Sequence, residues 1–477
     1  MQKFKLSLVV ISSLVLSSSL QADLKSEKVV LKNNMQVEYI QKPASVDNFS
    51  DALTEGMYYG RFRTNTFYWA WDNDENNKAM GIGASLVYKT APLNGISATI
   101  AGYTSQNPAW YRMEASDAGI VKAGKDTFSR YKLSTSGDYG MTVLGQAYIQ
   151  ADVAKTTIKA GRFLHESTFT KSNDTKMIPN TFDGVSVESK DIDDTKVSLA
   201  YLARQKLRDH TTSHDVIAFD GWTQNDDSAV NKNLTVARIG DNNRLIVASV
   251  TNKSVKNLKT TVSYMSVPSV VSNLALEAHY TIKPIDNLKI IPGIRYMQQF
   301  DNLNANYGVA NLKAKQDGYD NPNSLEASLI AVRVDVKSGP FMGRLGYSYV
   351  ADKADIISPW RAFPTGGFTR AMGQYNWYAN TKSYLIRAGY DFDKANILDG
   401  FSIMARYAFQ DFDDKKTGTP SDNGILNIDA RQNIGDDLQL KVRLGFSEAD
   451  AHIKDINGIE KDDWSYNEYR VELNYFY

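Results

Sequence analysis

From Tyr58 onward, apolar and polar residues alternate with a period of two. Phe62, Thr64, Thr66 and Tyr68 fall on one side of an extended backbone, Arg61, Arg63 and Asn65 on the other. The rhythm returns in Ile96/Ala98/Ile100, Leu274/Leu276/Ala278/Tyr280/Ile282 and Leu288/Ile290/Ile294/Tyr296. It continues in Tyr384/Ile386/Ala388/Tyr390, Ile403/Ala405/Tyr407/Phe409 and Leu438/Leu440/Val442/Leu444/Phe446. It closes with Tyr469/Val471/Leu473/Tyr475/Tyr477, set against Glu468, Arg470, Glu472 and Asn474. Successive strand side chains point to opposite faces, so each segment predicts a strand with one oily and one charged face. A soluble sheet could share this pattern. The terminal aromatics, however, fit a membrane interface, with the last strand closing against the first.

The connections alternate too. Short ones at 91–95, 153–155, 252–255, 284–286, 338–340 and 434–437 suit hairpin turns. Long polar ones run near 105–139, 165–182, 207–231, 301–323, 352–381, 413–423 and 448–464. A regular soluble domain rarely needs so many long loops, whereas an outer-membrane barrel has short turns on one side and long loops on the other. The predicted fold is all-β: a transmembrane antiparallel β-barrel over 57–477, with about eighteen strands. That count requires 233–251 to be one long or broken strand and 266–269 to be a short outer connection. Residues 23–56 are polar and weakly patterned, and read as a periplasmic N-terminal arm with a helical turn at 48–53.

Composition places the barrel. Lys3 and Lys5 precede an apolar run over 6–16, followed by small and polar residues up to Ala22. This is the pattern of a secretory signal peptide over 1–22; the run is too short for the ~20 apolar residues of a membrane helix. The expected location is the bacterial outer membrane. Among 477 residues, 54 Lys+Arg balance 54 Asp+Glu, which gives no electrostatic reason for a nucleic-acid partner. There is no cysteine, which excludes disulfides, thiol catalysis and Cys-based metal sites.

If one face meets lipid, the charged face must meet water inside the barrel. The inward set is Arg61, Arg63, Arg295, Arg387, Arg406, Arg431, Lys441, Arg443 and Arg470. Several belong to the last five strands and the first, neighbours once the barrel closes, and predict one basic wall attractive to anions. The loop after the fifth strand, about 164–182, mixes polar residues with Met177, Ile178, Pro179 and Phe182. Such apolar residues need cover. The loop is expected to fold inward as a constriction, the alternative being packing over the outer rim. Its candidate residues are Ser172, Asn173, Asp174, Lys176, Met177, Pro179, Asn180 and Asp183.

The run Ser172-Asn173-Asp174-Thr175-Lys176-Met177-Ile178-Pro179-Asn180-Thr181-Phe182-Asp183-Gly184 resembles the third-loop motif of the OprD-like family of bacterial outer-membrane porins. Ser358-Pro359-Trp360-Arg361-Ala362-Phe363-Pro364 is similar to that family's later Pro-Trp loop. Asn380-Thr381-Lys382-Ser383-Tyr384-Leu385, with Gly389-Tyr390-Asp391-Phe392, resembles the strand after it, and Asn467-Glu468-Tyr469-Arg470 the closing strand. The resemblance implies an eighteen-stranded porin, a constricting third loop, and a basic ladder that leads small carboxylate-bearing solutes past it. The chain departs in ending on Tyr477, where porins usually end on Phe.

Other chemistry is weakly signalled. His210 and His214, with Asp209 and Asp215 nearby, have a helical metal-ligand spacing but no further ligand pattern. The oxygen-rich run 72–77 lacks the Gly and Glu spacing of an EF-hand. No Gly-x-Ser-x-Gly elbow occurs. No metal, cofactor or enzymatic activity is expected. The expected function is passive diffusion of small hydrophilic, carboxylate-bearing solutes; the alternative is a surface adhesin or structural barrel. The expected partners are outer-membrane lipid and these solutes, and a homotrimer is left open.

Overall fold

The computed structural model describes residues 29–31, 35–39, 42–120, 122–219, 233–373 and 375–477; the expected signal peptide lies outside them. Eighteen antiparallel strands close into one barrel. The first six are β1 (Met57–Trp71), β2 (Asn77–Lys89), β3 (Ile96–Gln106), β4 (Met141–Val153), β5 (Thr156–Phe163) and β6 (Thr181–Ser189). The next six are β7 (Thr195–Lys206), β8 (Leu245–Asn252), β9 (Leu258–Val267), β10 (Val271–Tyr280, continued as Ile282–Ile285), β11 (Leu288–Asp301) and β12 (Ala327–Ser338). The last are β13 (Phe341–Val350), β14 (Lys382–Asp391), β15 (Phe401–Asp411), β16 (Asn423–Ile434), β17 (Leu438–Ala449) and β18 (Tyr466–Phe476).

Each strand pairs with its sequence neighbour, and β18 closes on β1 with Tyr469 opposite Tyr68 and Val471 opposite Thr66. Closure leaves no free sheet edge. At the seam, Phe62 and Tyr477 lie 5.4 Å apart and Tyr68 and Tyr469 6.4 Å, ring to ring. The period-two pattern has a direct structural meaning here. Tyr58, Phe62, Leu86, Ile149, Leu345, Ile386, Tyr469 and Val471 are exposed, while Arg63, Glu468, Arg470 and Glu472 are buried. An apolar exterior around a charged interior is stable only when lipid surrounds it.

Two details differ from the sequence reading. Residue 233 does not begin a strand. β8 starts at Leu245, after a single helical turn at Val236–Ile239. The strand count still closes, because residues 268–270 form the short outer connection and β10 is one strand interrupted by a bulge.

The polar N-terminal segment is also more ordered than its composition implies. Phe49–Thr54 forms a helix whose Asn48 cap accepts from the Asp51 amide at 2.9 Å. Upstream, Val29–Leu31 pairs with Val37–Tyr39, and Leu31 and Met35 are buried among inner-wall residues. This part of the expected periplasmic arm lies inside the barrel. The physical reason is its few apolar side chains, which find cover there.

Candidate functional site

The third outer connection, residues 164–180, is tied to the inner face of β1. Arg61 and Arg63 are two residues apart, so both point inward. Arg61 Nη2 donates to Asp174 Oδ2 (2.5 Å), and Arg63 Nη1 to Asp174 Oδ1 (2.7 Å). Arg63 also donates to the carbonyls of Asp174 (3.3 Å) and Met177 (3.4 Å). Asn65 donates to the carbonyls of Thr175 and Lys176, both at 3.5 Å. One inward position further along, the Lys176 ammonium sits 4.2 Å from the Phe67 ring centre. The loop therefore runs along β1, contacting successive inward residues.

The neighbouring strand makes room for it. Gly83 and Gly81 of β2 stand opposite Arg63 and Asn65. A Cβ on Gly81 would come within 2.8 Å of Met177 Cγ. Two inward positions without side chains let Met177 bury almost completely against the wall. Within the loop, Ser172 donates from N (2.9 Å) and Oγ (2.5 Å) to Glu166, and the Asn180 amide donates to the Ser172 carbonyl (2.8 Å). The Pro179 carbonyl accepts from Lys206 Nζ at 3.1 Å. Asn173 takes a left-handed conformation at φ 47°. Asp183 is the exception among the candidate loop residues. The strand resumes at Thr181, so Asp183 belongs to β6 and lies on the face of exposed Val185, paired with Arg162 at 2.6 Å.

Across the barrel, residues 351–381 pack against β11, β12 and β13. Arg295 donates to the carbonyls of Pro364 (2.7 Å) and Gly366 (3.1 Å). Arg333 and Arg344 both donate to the Gly367 carbonyl at 2.5 Å. Gly367 has φ +84°, a conformation that favours glycine. Phe368 lies 4.8 Å from the Arg295 guanidinium and 5.0 Å from that of Arg333. Arg295, expected to face open lumen, is thus occupied in holding a loop and pairs with Glu277 at 2.6 Å. The two loops also join each other, the Lys171 amide donating to the Trp360 carbonyl at 3.0 Å.

Where the loops meet, they leave a cavity of about 220 Å³. Four of its basic lining residues were expected: Lys176, Arg406, Arg443 and Arg470. Five were not: Lys122, Lys125, Arg208, Arg361 and Arg370. Thus nine cations and no carboxylate line the space, beside Phe363 and Tyr375. The acids stand one layer back. Glu468 pairs with Arg470 (2.6 Å) and Lys125 (3.8 Å), Asp126 with Arg208 (2.7 Å), Asp209 with Arg361 (3.6 Å) and Asp429 with Arg443 (3.3 Å). Along the expected basic wall, buried acids thus stand between the basic residues.

Lys176 is 4 % exposed, and its Nζ has no hydrogen-bond partner among the described residues. Burial pushes the Lys176 and Lys125 ammoniums well below the usual lysine range. The remaining candidates are inward but do not line the cavity. Arg387 contacts Met342 Sδ at 3.1 Å, Lys441 lies 3.8 Å from Glu472, and Arg431 is buried. His214 stacks on Phe219 and His210 meets that ring edge-on, and burial lowers both histidines to about 3. The missed cations sit on aperiodic loops. Only Arg361 carried a signal, inside the Pro-Trp motif.

A family model described as "outer membrane porin, OprD family" matches residues 128–424. The chain belongs to the OprD family of outer membrane porins. Among curated proteins, no sequence matches this porin. Solved structures share its fold. Acinetobacter baumannii OccAB3 superposes with a TM-score of 0.69 at 16% identity, covering 89% of this chain and 100% of that one. Pseudomonas aeruginosa OccK8 (OprE) gives 0.68 at 15% identity, covering 89% and 99%. P. aeruginosa OpdK, determined with vanillate, gives 0.65 at 12% identity, covering 88% and 98%. This porin is an outer-membrane β-barrel, and its family members are channels rather than enzymes.

Proposed function

We propose that this porin is a passive diffusion channel for small hydrophilic solutes bearing a carboxylate, with residues 164–180 as its constriction. The observation that carries this reading is the cavity lined by nine basic side chains, among them Lys176, whose buried Nζ has no hydrogen-bond partner among the described residues. A carboxylate passing about 4 Å from such a charge gains on the order of 4 kcal/mol at an effective dielectric of 20, against about 1 in bulk water. The loops matter because they bring these charges together around a narrow space. Phe363 and Tyr375 offer an apolar side to the same solute. Vanillate, with which OpdK was determined, is itself a carboxylate. The acids behind the cations prevent excessively tight binding, and conduction requires a solute that leaves as well as enters. A signal peptide over 1–22 fits delivery to the outer membrane.

The test is a planar-bilayer recording. Discrete conductance steps are expected, with a reversal potential displaced toward the anion in a salt gradient. Small carboxylates should block chloride current more strongly than the matching alcohols. Equal block by acid and alcohol overturns the selectivity reading.

A further inference from the structure

The N-terminal hairpin makes contacts that neither the selectivity reading nor the barrel requires. Its strands pair with Val30 opposite Glu38 and Leu31 opposite Val37. So short a hairpin cannot bury anything by itself, yet Leu31 is 3 % exposed and Met35 0 %. They share one apolar cluster with Tyr59, Val87, Tyr103 and Phe476 of the inner wall and with Met177 and Ile178 of the third loop. Tyr59 is near the start of β1 and Phe476 is the last residue of β18, so the hairpin lies at the turn end of the lumen, beneath the loop. The Met35 carbonyl accepts from Arg61 Nη1 at 3.1 Å. The other arm of that guanidinium holds Asp174. One side chain thus latches the hairpin and the constriction together.

We infer that the paired segments 29–31 and 35–39 form a tethered plug, a second barrier in the permeation path between the third loop and the periplasmic mouth. The inference rests on the chain being a channel and is independent of its anion preference. The hairpin satisfies its own backbone pairing, so it can leave as a unit. Among the described residues, its hold on the wall includes Leu31, Met35 and Val37 in the apolar cluster and the hydrogen bond from Arg61 to the Met35 carbonyl. Its departure opens the lower lumen and removes one of the groups that fix Arg61 beneath the constriction.

The chain has no cysteine, so a single introduced thiol reports alone. In the full-length porin in liposomes, Met35→Cys should react with a charged thiol reagent at least about tenfold more slowly than Glu38→Cys, because only opening exposes it. Deleting 29–39 behind an intact leader should enlarge the single-channel step. Met35→Asp, which places a charge in the apolar cluster, should do the same without shortening the chain. Equal labelling rates overturn the plug, as do unchanged conductance steps in both variants. The salt-gradient reversal potential is read on the same channels, so failure of the anion reading shows separately.

Discussion

Residues 164–180 and 351–381 enter the barrel from walls across the lumen from each other, and arginines hold both. In the first case the acid is on the loop: Asp174 neutralises one of the two charges of Arg61 and Arg63. In the second the acids are on the wall, Glu277 beside Arg295 and Asp335 beside Arg344, and the loop offers carbonyls and the Phe368 ring to these arginines. The difference sets what each loop costs to release. Lifting the first strands two buried guanidiniums without a carboxylate, whereas lifting the second leaves its arginines paired. An ion pair locks one loop; geometry and guanidinium-to-carbonyl hydrogen bonds seat the other.

Removing Asp174 tests this most severely. Asp174→Ala should cost about 3–5 kcal/mol of local stability, the usual consequence of leaving a buried ion pair half-made. Its signature is a larger, noisier conductance step and proteolysis within 164–180. An unchanged step would show that the ion pairs do not hold the loop. Next in size is Lys176→Met, which keeps an apolar side chain over Phe67 but removes the buried charge. It should move the reversal potential toward cations, and by more than Arg387→Gln, which lies outside the cavity. A larger shift from Arg387 would relocate the selective point.

A weaker effect is expected at the second loop. Gly367→Val places a β-branched residue at φ +84° with its Cβ 3.2 Å from Arg333 Nη1, a strain of about 1–3 kcal/mol. Conductance should change less than in Asp174→Ala, and the reverse order would break the comparison. The smallest effect concerns pH. Asp355 joins the second loop to the connection before β12, accepting from the Leu312 and Ala379 amides, Asn311 and Tyr319. Burial raises its carboxyl from 3.8 to about 6, against the pull of those donors. The folded state therefore holds this proton more tightly than the unfolded one. Its contribution is full below about pH 4 and is lost as pH rises through about 6. Proteolysis of 302–326 should be slower at pH 5 than at pH 7.5, and equal rates would remove Asp355 as the cause.

Much of the barrel was legible because strand patterning is local. Phe62 and Arg63 differ in face whatever the rest of the chain does. The third loop showed itself through Met177 and Ile178, apolar residues in a polar stretch. The cavity did not show itself. Lys122, Lys125, Arg208 and Arg370 sit in stretches without period, where nothing nearby in sequence says which way a side chain points. Asp183 was assigned to the loop because its motif runs on into β6 without a break in composition. The seat for Met177 was equally hidden, since Gly81 and Gly83 read only as weak strand residues until the loop above them is in place.

By itself, the sequence determined the two faces of every clear strand and hence the exchange of lipid outside for water inside, since a period of two needs only neighbouring residues. Tertiary structure alone decided which inward charges remain available to a solute. That depends on partners far apart in the chain, such as Arg61 and Asp174, 113 positions from each other. Charges are neutralised through space, and no local pattern records which of them have already met.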